Sequence, residues 1–397
     1  MTPSLRIVTL AAALALGAGA AAQAQQPIKI GMIYSYKGVY ATLSESADKG
    51  AMLAVDEFGG KVAGRAIEIV RADDEDSNPT IGVQKAEKLA KSDHVQVIAG
   101  VISSGVALAM REFAHRNKIP FVVSYGAADQ IMNEKCSPYM ARTLYAASAF
   151  SRSIGNYAAT KNKTAATLGP DYAAGHQFIA GFKQGFEEKG GKVVHQEWTA
   201  FRKTKDWGPA FAKIKEAGPQ VIYSFYGGSE AIQAVKTHAN FGLAKSIPLY
   251  GDMWLYDSAL WDAMGDAVVG GVYGTTWIPA LDSAANKKFV AAYQKKFGTT
   301  PDVNSVLGYT NIKATLLAAQ QLNGDVSDGA KFVKALAGLE FDGPSGKVKF
   351  NPKNNDAVLD RVYMVRIEKG PDGKLRQALV DSTQGAPSPS DKCSLGS

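Results

Sequence analysis

Short apolar runs alternate with amphipathic stretches along most of the chain. The short runs are typical of strands, and the stretches between them repeat apolar residues at helical spacing. The runs predict strands at residues 28–34, 66–70, 95–99, 120–124, 164–168, 192–197, 221–225, 247–250, 268–274, 346–350 and 361–367. The stretches predict helices at residues 47–58, 78–92, 106–116, 177–189, 208–216, 229–241, 258–264, 284–297, 305–322 and 327–336.

Apolar runs that are separated by helices indicate parallel sheets with right-handed crossovers. The elements fall into two series, of which the second starts near Tyr145, and a chain of 397 residues is too long for a single core. We therefore predict an α/β fold with two doubly wound parallel-sheet lobes. Open sheets of this kind bind ligands at the carboxyl ends of their strands, so a cleft between the lobes is the expected site.

The first 24 residues have the features of an export signal. A short basic start precedes an apolar stretch over residues 7–22 and a small-residue site that ends at Ala24. The apolar stretch is short and rich in Ala and Gly, which disfavours a membrane span. We predict cleavage after Ala24 and an exported, released protein, and a retained N-terminal anchor is the alternative.

Composition narrows the function classes. Hydrophobic residues make up 46% of the chain, which is typical of globular proteins. The formal net charge of +7 is dispersed, and paired lysines such as Lys287-Lys288 are expected on a solvated helix face. We therefore expect no nucleic-acid partner.

The two cysteines, Cys136 and Cys393, predict one disulfide, because an even pair in an exported protein is usually oxidised. The bond would close a loop of more than 250 residues and tie the tail to the middle of the chain. Two unrelated thiols are the alternative. The tail from Gln384 is rich in Pro, Ser and Gly, and is expected to be loose except where Cys393 holds it.

The sequence has no recognisable catalytic or metal-binding motif. The histidines lack metal-ligand spacing, and neither a nucleophile elbow nor a phosphate-binding loop occurs. The acidic run at residues 73–76 lacks the glycine and the late glutamate of a calcium loop, and is expected to precede a helix cap. We predict no metal, no cofactor and no enzymatic activity. A hydrolase assembled from the distant residues Ser104, His176 and Asp252 is the alternative of another class.

Two loops at strand ends are candidates for ligand binding. Ser103 and Ser104 lie between a predicted strand and a predicted helix, where hydroxyls and backbone N–H groups can bind a carboxylate. Ser104 could instead only cap its own helix. Tyr125, Gly126 and Ala128 follow the next strand, and the small residues would allow the backbone to approach a ligand closely.

A series of matches along the chain gives it a family resemblance. The stretch Gly50-Ala-Met-Leu-Ala-Val-Asp-Glu, which is separated from Gly38 by eleven intervening residues, resembles the opening of periplasmic type I solute-binding proteins. These are the receptors of ABC importers similar to the branched-chain amino-acid (Leu/Ile/Val) binding proteins. Further matches are Asp73-Asp74, Lys88-Leu89, Val97 to Gly100, Ile119-Pro120, Asp206-Trp207, Ile214-Lys215 and Tyr226 to Gly228.

The resemblance implies two lobes that are joined by three hinge crossings and close on a ligand. It places residues 25–145 and 278–355 in lobe 1, residues 146–277 and 356–383 in lobe 2, and residues 384–397 in a C-terminal tail. It also implies a periplasmic monomer that is not an enzyme and delivers its ligand to a membrane ABC importer permease. The same fold can serve as a sensor module, which is a third class.

The resemblance further implies a set of site residues. The carboxylate-binding serine of the family matches Ser104, its backbone contacts match Gly126 and Ala128, and its second-lobe aromatic residue matches Tyr172. Two positions depart from the pattern of amino-acid binders: Leu43 stands where they have a tyrosine, and Met253 where they have the acid that pairs with the ligand ammonium. Asp252 is one residue away, and a small shift of the alignment would restore that acid.

Aromatic residues are frequent in the predicted cleft loops, namely Tyr34, Tyr36, Tyr40, Tyr125, Tyr172, Tyr226 and Trp254. Flat rings with polar tips suit an aromatic acid, and about half of these rings are expected to touch the ligand. Burying an ammonium group without a carboxylate partner is costly. We therefore prefer an aromatic carboxylate as ligand, with Tyr36 and Tyr226 among its contacts, over a branched-chain or other amino acid.

Overall fold

A computed structural model describes residues 26–395, so the predicted signal and its cleavage site lie outside the described residues. The strands are β1 (Ile28–Tyr34), β2 (Lys61–Val62), β3 (Arg65–Asp73), β4 (Val97–Gly100), β5 (Phe121–Val123), β6 (Met140–Arg142), β7 (Thr164–Pro170), β8 (Lys192–Thr199), β9 (Val221–Ser224), β10 (Leu249–Asp252), β11 (Val272–Thr275), β12 (Glu340–Gly343), β13 (Gly346–Asn351), β14 (Asp356–Ala357), β15 (Arg361–Lys369) and β16 (Leu375–Gln384).

The α-helices lie between these strands in most of the chain. They are α1 (Ala41–Glu57), α2 (Pro79–Lys91), α3 (Ser104–Asn117), α4 (Ala147–Lys161), α5 (Ala173–Glu188), α6 (Gly208–Ala217), α7 (Gly228–Asn240), α8 (Trp261–Met264), α9 (Ala284–Phe297), α10 (Val303–Gln321) and α11 (Gly329–Ala337). Among residues 26–395, no helix has the length and apolar character needed to span a membrane.

The strands form two sheets, as the alternating pattern predicts. The first sheet has the order β12-β13-β14-β6-β5-β4-β1-β3-β2, and the second has the order β16-β15-β11-β10-β9-β7-β8. The central strands of each sheet run parallel, and antiparallel strands extend both edges of the first sheet and one edge of the second. The predicted fold class of two doubly wound sheets is confirmed, with these antiparallel additions.

The chain passes from one sheet to the other three times, after β6, after β11 and after β14. These passages agree in number with the three crossings that the resemblance implies, and the stated lobe limits stay a prediction. Because the carboxyl ends of the central parallel strands of both sheets border the gap between them, the loops that leave those strands can form a shared site.

The predicted disulfide is present, and Cys136 and Cys393 are bonded with their Cα atoms 5.6 Å apart. The expectation of a loose tail is wrong, because residues 385–392 bond at several points to the rest of the protein. The Ala386 amide donates to Ser153 Oγ (3.0 Å) beside the second sheet, and the Ala146 amide donates to Ser388 Oγ (3.1 Å) at the first passage. The Lys392 amide donates to Asn133 Oδ1 (2.9 Å) beside the first sheet. The tail therefore crosses between the sheets as a fourth connection.

Candidate functional site

A small cavity lies between the two sheets, at the carboxyl ends of their strands. Loops after β4 and β5 and the start of α1 form one wall, and loops after β7, β9 and β10 together with α5 form the other. The lining residues are Tyr40, Leu43, Ile102, Ser104, Tyr125, Ala127, Tyr172, Ala174, Phe178, Phe225, Gly227 and Trp254.

Ser104 presents its hydroxyl to this cavity from the first residue of α3. The helix is capped by Ser103, whose Oγ accepts from the Gly105 amide at 3.3 Å, so capping does not occupy Ser104. Ser104 Oγ accepts from the Ala128 amide at 3.0 Å, which fixes the oxygen and leaves its proton free to donate. A helix N-terminus favours negative charge, and this hydroxyl can therefore donate to a carboxylate.

Stacked and edge-on aromatic rings form the second-sheet wall. The rings of Phe178 and Phe225 are nearly parallel with centroids 4.1 Å apart, and Trp254 stands edge-on to them at 5.5 and 6.1 Å. Tyr172 continues this wall with a tilt of 27° to Phe225 at 6.3 Å. A wall of rings with this geometry suits a flat apolar ligand.

Three tyrosine hydroxyls lie at the cavity, and one pair of them connects its two walls. The hydroxyls of Tyr40 and Tyr172 lie 3.3 Å apart across the gap, and Tyr125 donates to the Asn304 carbonyl at 2.9 Å. Burial raises the pKa of all three phenols above the ordinary value, so they stay neutral donors at physiological pH. The indole Nε1–H of Trp254 is also buried, and no partner for it is found within residues 26–395.

No charged side chain lines this cavity among the residues that the structure describes. Asp252 Oδ1 accepts from the amides of Trp254 (2.9 Å) and Leu255 (3.1 Å) in its own turn. Burial raises the pKa of Asp252 to about 8, so the group is largely protonated at pH 7. The sulfur of Met253 accepts from the Tyr145 hydroxyl at 3.6 Å. Neither candidate position for an ammonium partner therefore lies on the wall.

The predicted site residues divide into three groups. Leu43, Ser104, Tyr125 and Tyr172 line the cavity. Ser103 and Ala128 lie directly behind it, bonded to the start of α3 and to Ser104 as described. The residues placed elsewhere are Tyr36, Gly126, Tyr226, Asp252 and Met253.

The contacts of the outlying residues explain their positions. Tyr36 donates to Asp48 Oδ1 at 3.2 Å, and the hydroxyl of Tyr226 lies 2.7 Å from Thr199 Oγ1. The Gly126 carbonyl accepts from the guanidinium of Arg142 at 2.9 Å. Sequence reasoning missed Phe178, which resembles any other core residue of an amphipathic helix, and Phe225, which directly follows the buried strand β9.

The residues of the alternative hydrolase do not assemble. His176 Nε2 lies 2.7 Å from Asp171 Oδ1 on the surface, and Asp252 bonds only to backbone amides. Ser104 bonds to the Ala128 amide and not to an imidazole. Elsewhere in residues 26–395, no group of three or more His, Cys, Asp or Glu residues could hold a metal ion.

Comparison with known proteins matches this arrangement to one family. The sequence profile of the periplasmic binding proteins matches residues 27–373. A solute-binding protein of an ABC transporter from Rhodopseudomonas palustris BisB5, in complex with 3,4-dihydroxybenzoic acid, is 32% identical with a TM-score of 0.85 and covers 92% of this chain and 99% of its own. Another from R. palustris, in complex with benzoate, is 31% identical with a TM-score of 0.84, covering 92% and 98%.

Another relative is named after a different class of ligand. The Leu/Ile/Val-binding protein homolog 6 of Brucella melitensis is 26% identical over 351 residues, which cover 87% of this chain and 89% of the relative. Both kinds of relative are solute-binding proteins, and they match this chain over nearly its full length.

Proposed function

The chain belongs to the periplasmic binding protein family, and on that basis we propose that it captures an aromatic monocarboxylate in the cavity between its sheets. In this proposal the protein is a periplasmic monomer, the sheets belong to two lobes that close on the ligand, and the closed form delivers it to a membrane ABC importer permease. A ligand stabilises the closed form because it contacts both walls only there.

The observation that carries the proposal is the chemistry of the wall. Stacked rings at Phe178 and Phe225 face a hydroxyl donor at Ser104, and no carboxylate or cation of the described residues lines the space. An aromatic ring would pack between the apolar side chains, and its carboxylate would accept from Ser104 at the start of α3. The two R. palustris relatives, which were solved with benzoate and 3,4-dihydroxybenzoic acid, support the same ligand class.

A branched-chain amino acid is the second candidate, since the Brucella relative bears the name of a Leu/Ile/Val-binding homolog. Such a ligand carries an ammonium group that must be paired when it is buried. Within residues 26–395 the wall offers no acid, and Asp252 is engaged with its own turn. The aromatic acid is therefore the better supported ligand.

Isothermal titration of the refolded, ligand-free protein tests the proposal. The panel contains benzoate, 4-hydroxybenzoate, cyclohexanecarboxylate, benzamide and leucine. We expect benzoate or 4-hydroxybenzoate to bind most tightly, because cyclohexanecarboxylate lacks the flat ring and benzamide lacks the negative charge. Binding of leucine with no response to either aromatic acid would contradict the proposal.

Ser104→Ala should then weaken the best ligand by roughly 1.5–3 kcal/mol, the contribution of one charge-assisted hydrogen bond. Ser92→Ala, at an exposed serine beyond the end of α2, is the matched control and should bind as the wild type does. Equal affinity of the Ser104→Ala and wild-type proteins would remove Ser104 from the site.

A further inference from the structure

The loop between β8 and α6 bridges the outer edge of the cavity. Residues 200–207 follow β8 of the second sheet and reach the acidic turn after β3 of the first sheet. A guanidinium N–H of Arg202 donates to the Asp76 backbone carbonyl, and the same nitrogen lies 4.0 Å from Asp76 Oδ2. This contact joins the first-sheet side to the second-sheet side, beyond the space that the proposed ligand would occupy.

The side chain of Phe201, in the same loop, covers the outer side of the cavity wall. Its ring stacks on Tyr172 with centroids 4.2 Å apart and an angle of 12°, and its centroid lies 6.1 Å from that of Tyr40. The guanidinium of Arg202 lies 5.4 Å from the centroid of the Phe201 ring. Because Tyr40 and Tyr172 are the wall residues whose hydroxyls meet across the gap, Phe201 forms a second layer outside them.

Both ends of the bridge are fixed by buried or backbone partners. The Arg202 amide donates to Glu230 Oε1 at 2.9 Å, and Glu230 is only 5% exposed. On the other side, Asp76 Oδ1 accepts from the Val39 amide at 2.8 Å, next to Tyr40. Arg202 and Asp76 both have left-handed backbones, with φ of 62° and 63°, which residues with side chains rarely adopt without support. The contact is therefore held in place from both sides.

We propose that Arg202 is a latch residue, which holds Phe201 over the cavity and sets the rate of ligand release. The inference rests on the proposed function and deepens it. Ligand enters the open form, in which the Arg202–Asp76 contact is broken, so the latch acts mainly on dissociation and changes association little. In the ligand-free protein the same contact stabilises the fraction of molecules that is closed. Arg202 touches neither the ligand nor the cavity wall in this scheme, and acts by positioning Phe201.

Stopped-flow kinetics with benzoate tests the latch. We expect Arg202→Ala to release benzoate roughly tenfold faster, as expected for loss of one charge-assisted contact, with association within about twofold of wild type. Phe201→Ala should have the same effect, because it removes the cover that the latch positions. Lys203→Ala, at the exposed neighbour, is the matched control and should leave both rates unchanged.

Salt separates the latch from a general loss of structure. The side chain of Arg202 is 32% exposed, so salt at about 0.5 M should speed release from the wild type and have a smaller effect on Arg202→Ala. The unfolding midpoint of the ligand-free variant should equal that of the wild type. Faster release accompanied by a lowered midpoint and an equal salt response would overturn the proposal, as would an unchanged release rate.

A ligand-independent measurement distinguishes failure of the latch from failure of the proposed function. Spin labels placed on α2 by Gln84→Cys and on α6 by Lys215→Cys report the distance between the two sides. Adding Arg202→Ala should shift this distribution toward longer distances without any ligand. If benzoate does not bind the wild type, the proposed ligand is wrong, and the spin-label distances alone then test the latch. An unchanged distance distribution in Arg202→Ala would overturn the latch.

Discussion

Asp252 is a fully buried carboxyl group, and both of its hydrogen bonds come from the backbone of its own turn. Its second oxygen finds no partner within residues 26–395. An ionised carboxylate is poorly solvated there, which is why burial raises the pKa to about 8. The side chain thus serves as a neutral brace of the loop after β10, beside the cavity wall but not on it.

A raised pKa in the folded state makes stability depend on pH. The folded protein holds this proton up to about pH 8, and the unfolded chain releases it near the ordinary pKa of 3.8. The stabilising contribution is complete below pH 3.8 and is lost as pH rises through about 8. Asp252→Asn keeps the accepting oxygen and cannot ionise. Between pH 5 and pH 8, the wild type should therefore lose roughly 2–4 kcal/mol relative to the variant.

Denaturant unfolding of both proteins at the two pH values measures this difference. Asp262→Asn, at an exposed aspartate in α8, is the control and should follow the wild type. Equal pH dependence of stability in the wild-type and Asp252→Asn proteins would show that the pKa of the Asp252 carboxyl group is the same in the folded and unfolded states. A second readout concerns ligand choice: benzoate affinity should be the same in Asp252→Asn, because the carboxyl does not line the cavity.

At the scale of the element, the start of α7 brings the two sheets into close approach. Gly228 is the first residue of this helix and has φ of 59°, and a Cβ atom there would lie 1.8 Å from the Val39 carbonyl oxygen. Val39 precedes α1, on the side of the first sheet. Closure of the cavity therefore requires a residue without a side chain at this position.

Gly228→Ala should weaken benzoate binding about tenfold or more, since relieving the clash separates the walls and backbone strain of roughly 1–3 kcal/mol is added. Gly242→Ala is a matched control, because Gly242 also has a left-handed backbone (φ 69°), yet a Cβ atom added there would meet no other atom within 4 Å. Calorimetry measures the benzoate affinity of both variants. Gly242→Ala reports the effect of backbone strain alone, and Gly228→Ala reports strain together with the clash against Val39. Equal losses of affinity in both would contradict the close-approach argument.

The elements themselves were predictable where burial was strong. The strand at residues 28–34 was predicted with its observed limits, because a central strand is apolar on both faces. Helix α4 was missed, since small residues such as Ala, Ser and Gly give it little apolar periodicity. Those residues allow close packing, and a Cβ at Gly155 would lie 2.2 Å from the Phe182 carbonyl of α5. Strand β16 was missed because it is an edge strand with Leu379 exposed.

The cavity wall was predictable only in part. Ser104 and Tyr125 were predicted because topology places their strand-end loops at one edge of the sheet, and Tyr172 because it matches the second-lobe aromatic residue of the family. Tyr36 and Tyr226 lie in similar loops and point to other partners, which no pattern in the sequence reveals. Phe178 faces the cavity from inside a helix, where its spacing is the same as that of core residues.

At the scale of the whole molecule, the tail and its disulfide hold the two sheets together in addition to the three passages. Replacing both cysteines, Cys136→Ser with Cys393→Ser, should lower the free energy of unfolding by about 2–5 kcal/mol, because the unfolded chain loses a long constraining loop. Denaturant unfolding measures the change. Reducing agent should destabilise the wild type to the same extent and leave the double variant unaffected, and a reductant effect on the double variant would point to another cause.

The Cys136–Cys393 bond also determines how the protein would respond to a pulling force applied at its two ends. Tension would pass from Cys136 directly to Cys393, so the 257-residue span between them would carry no load while the bond is intact. Fully extended, that span would contribute roughly 900 Å of contour length at about 3.5 Å per residue. The second sheet lies entirely within the span and is mechanically shielded, whereas strands β1 to β5 lie outside it. Strands β1 to β5 of the first sheet are therefore the part of the molecule that yields to force.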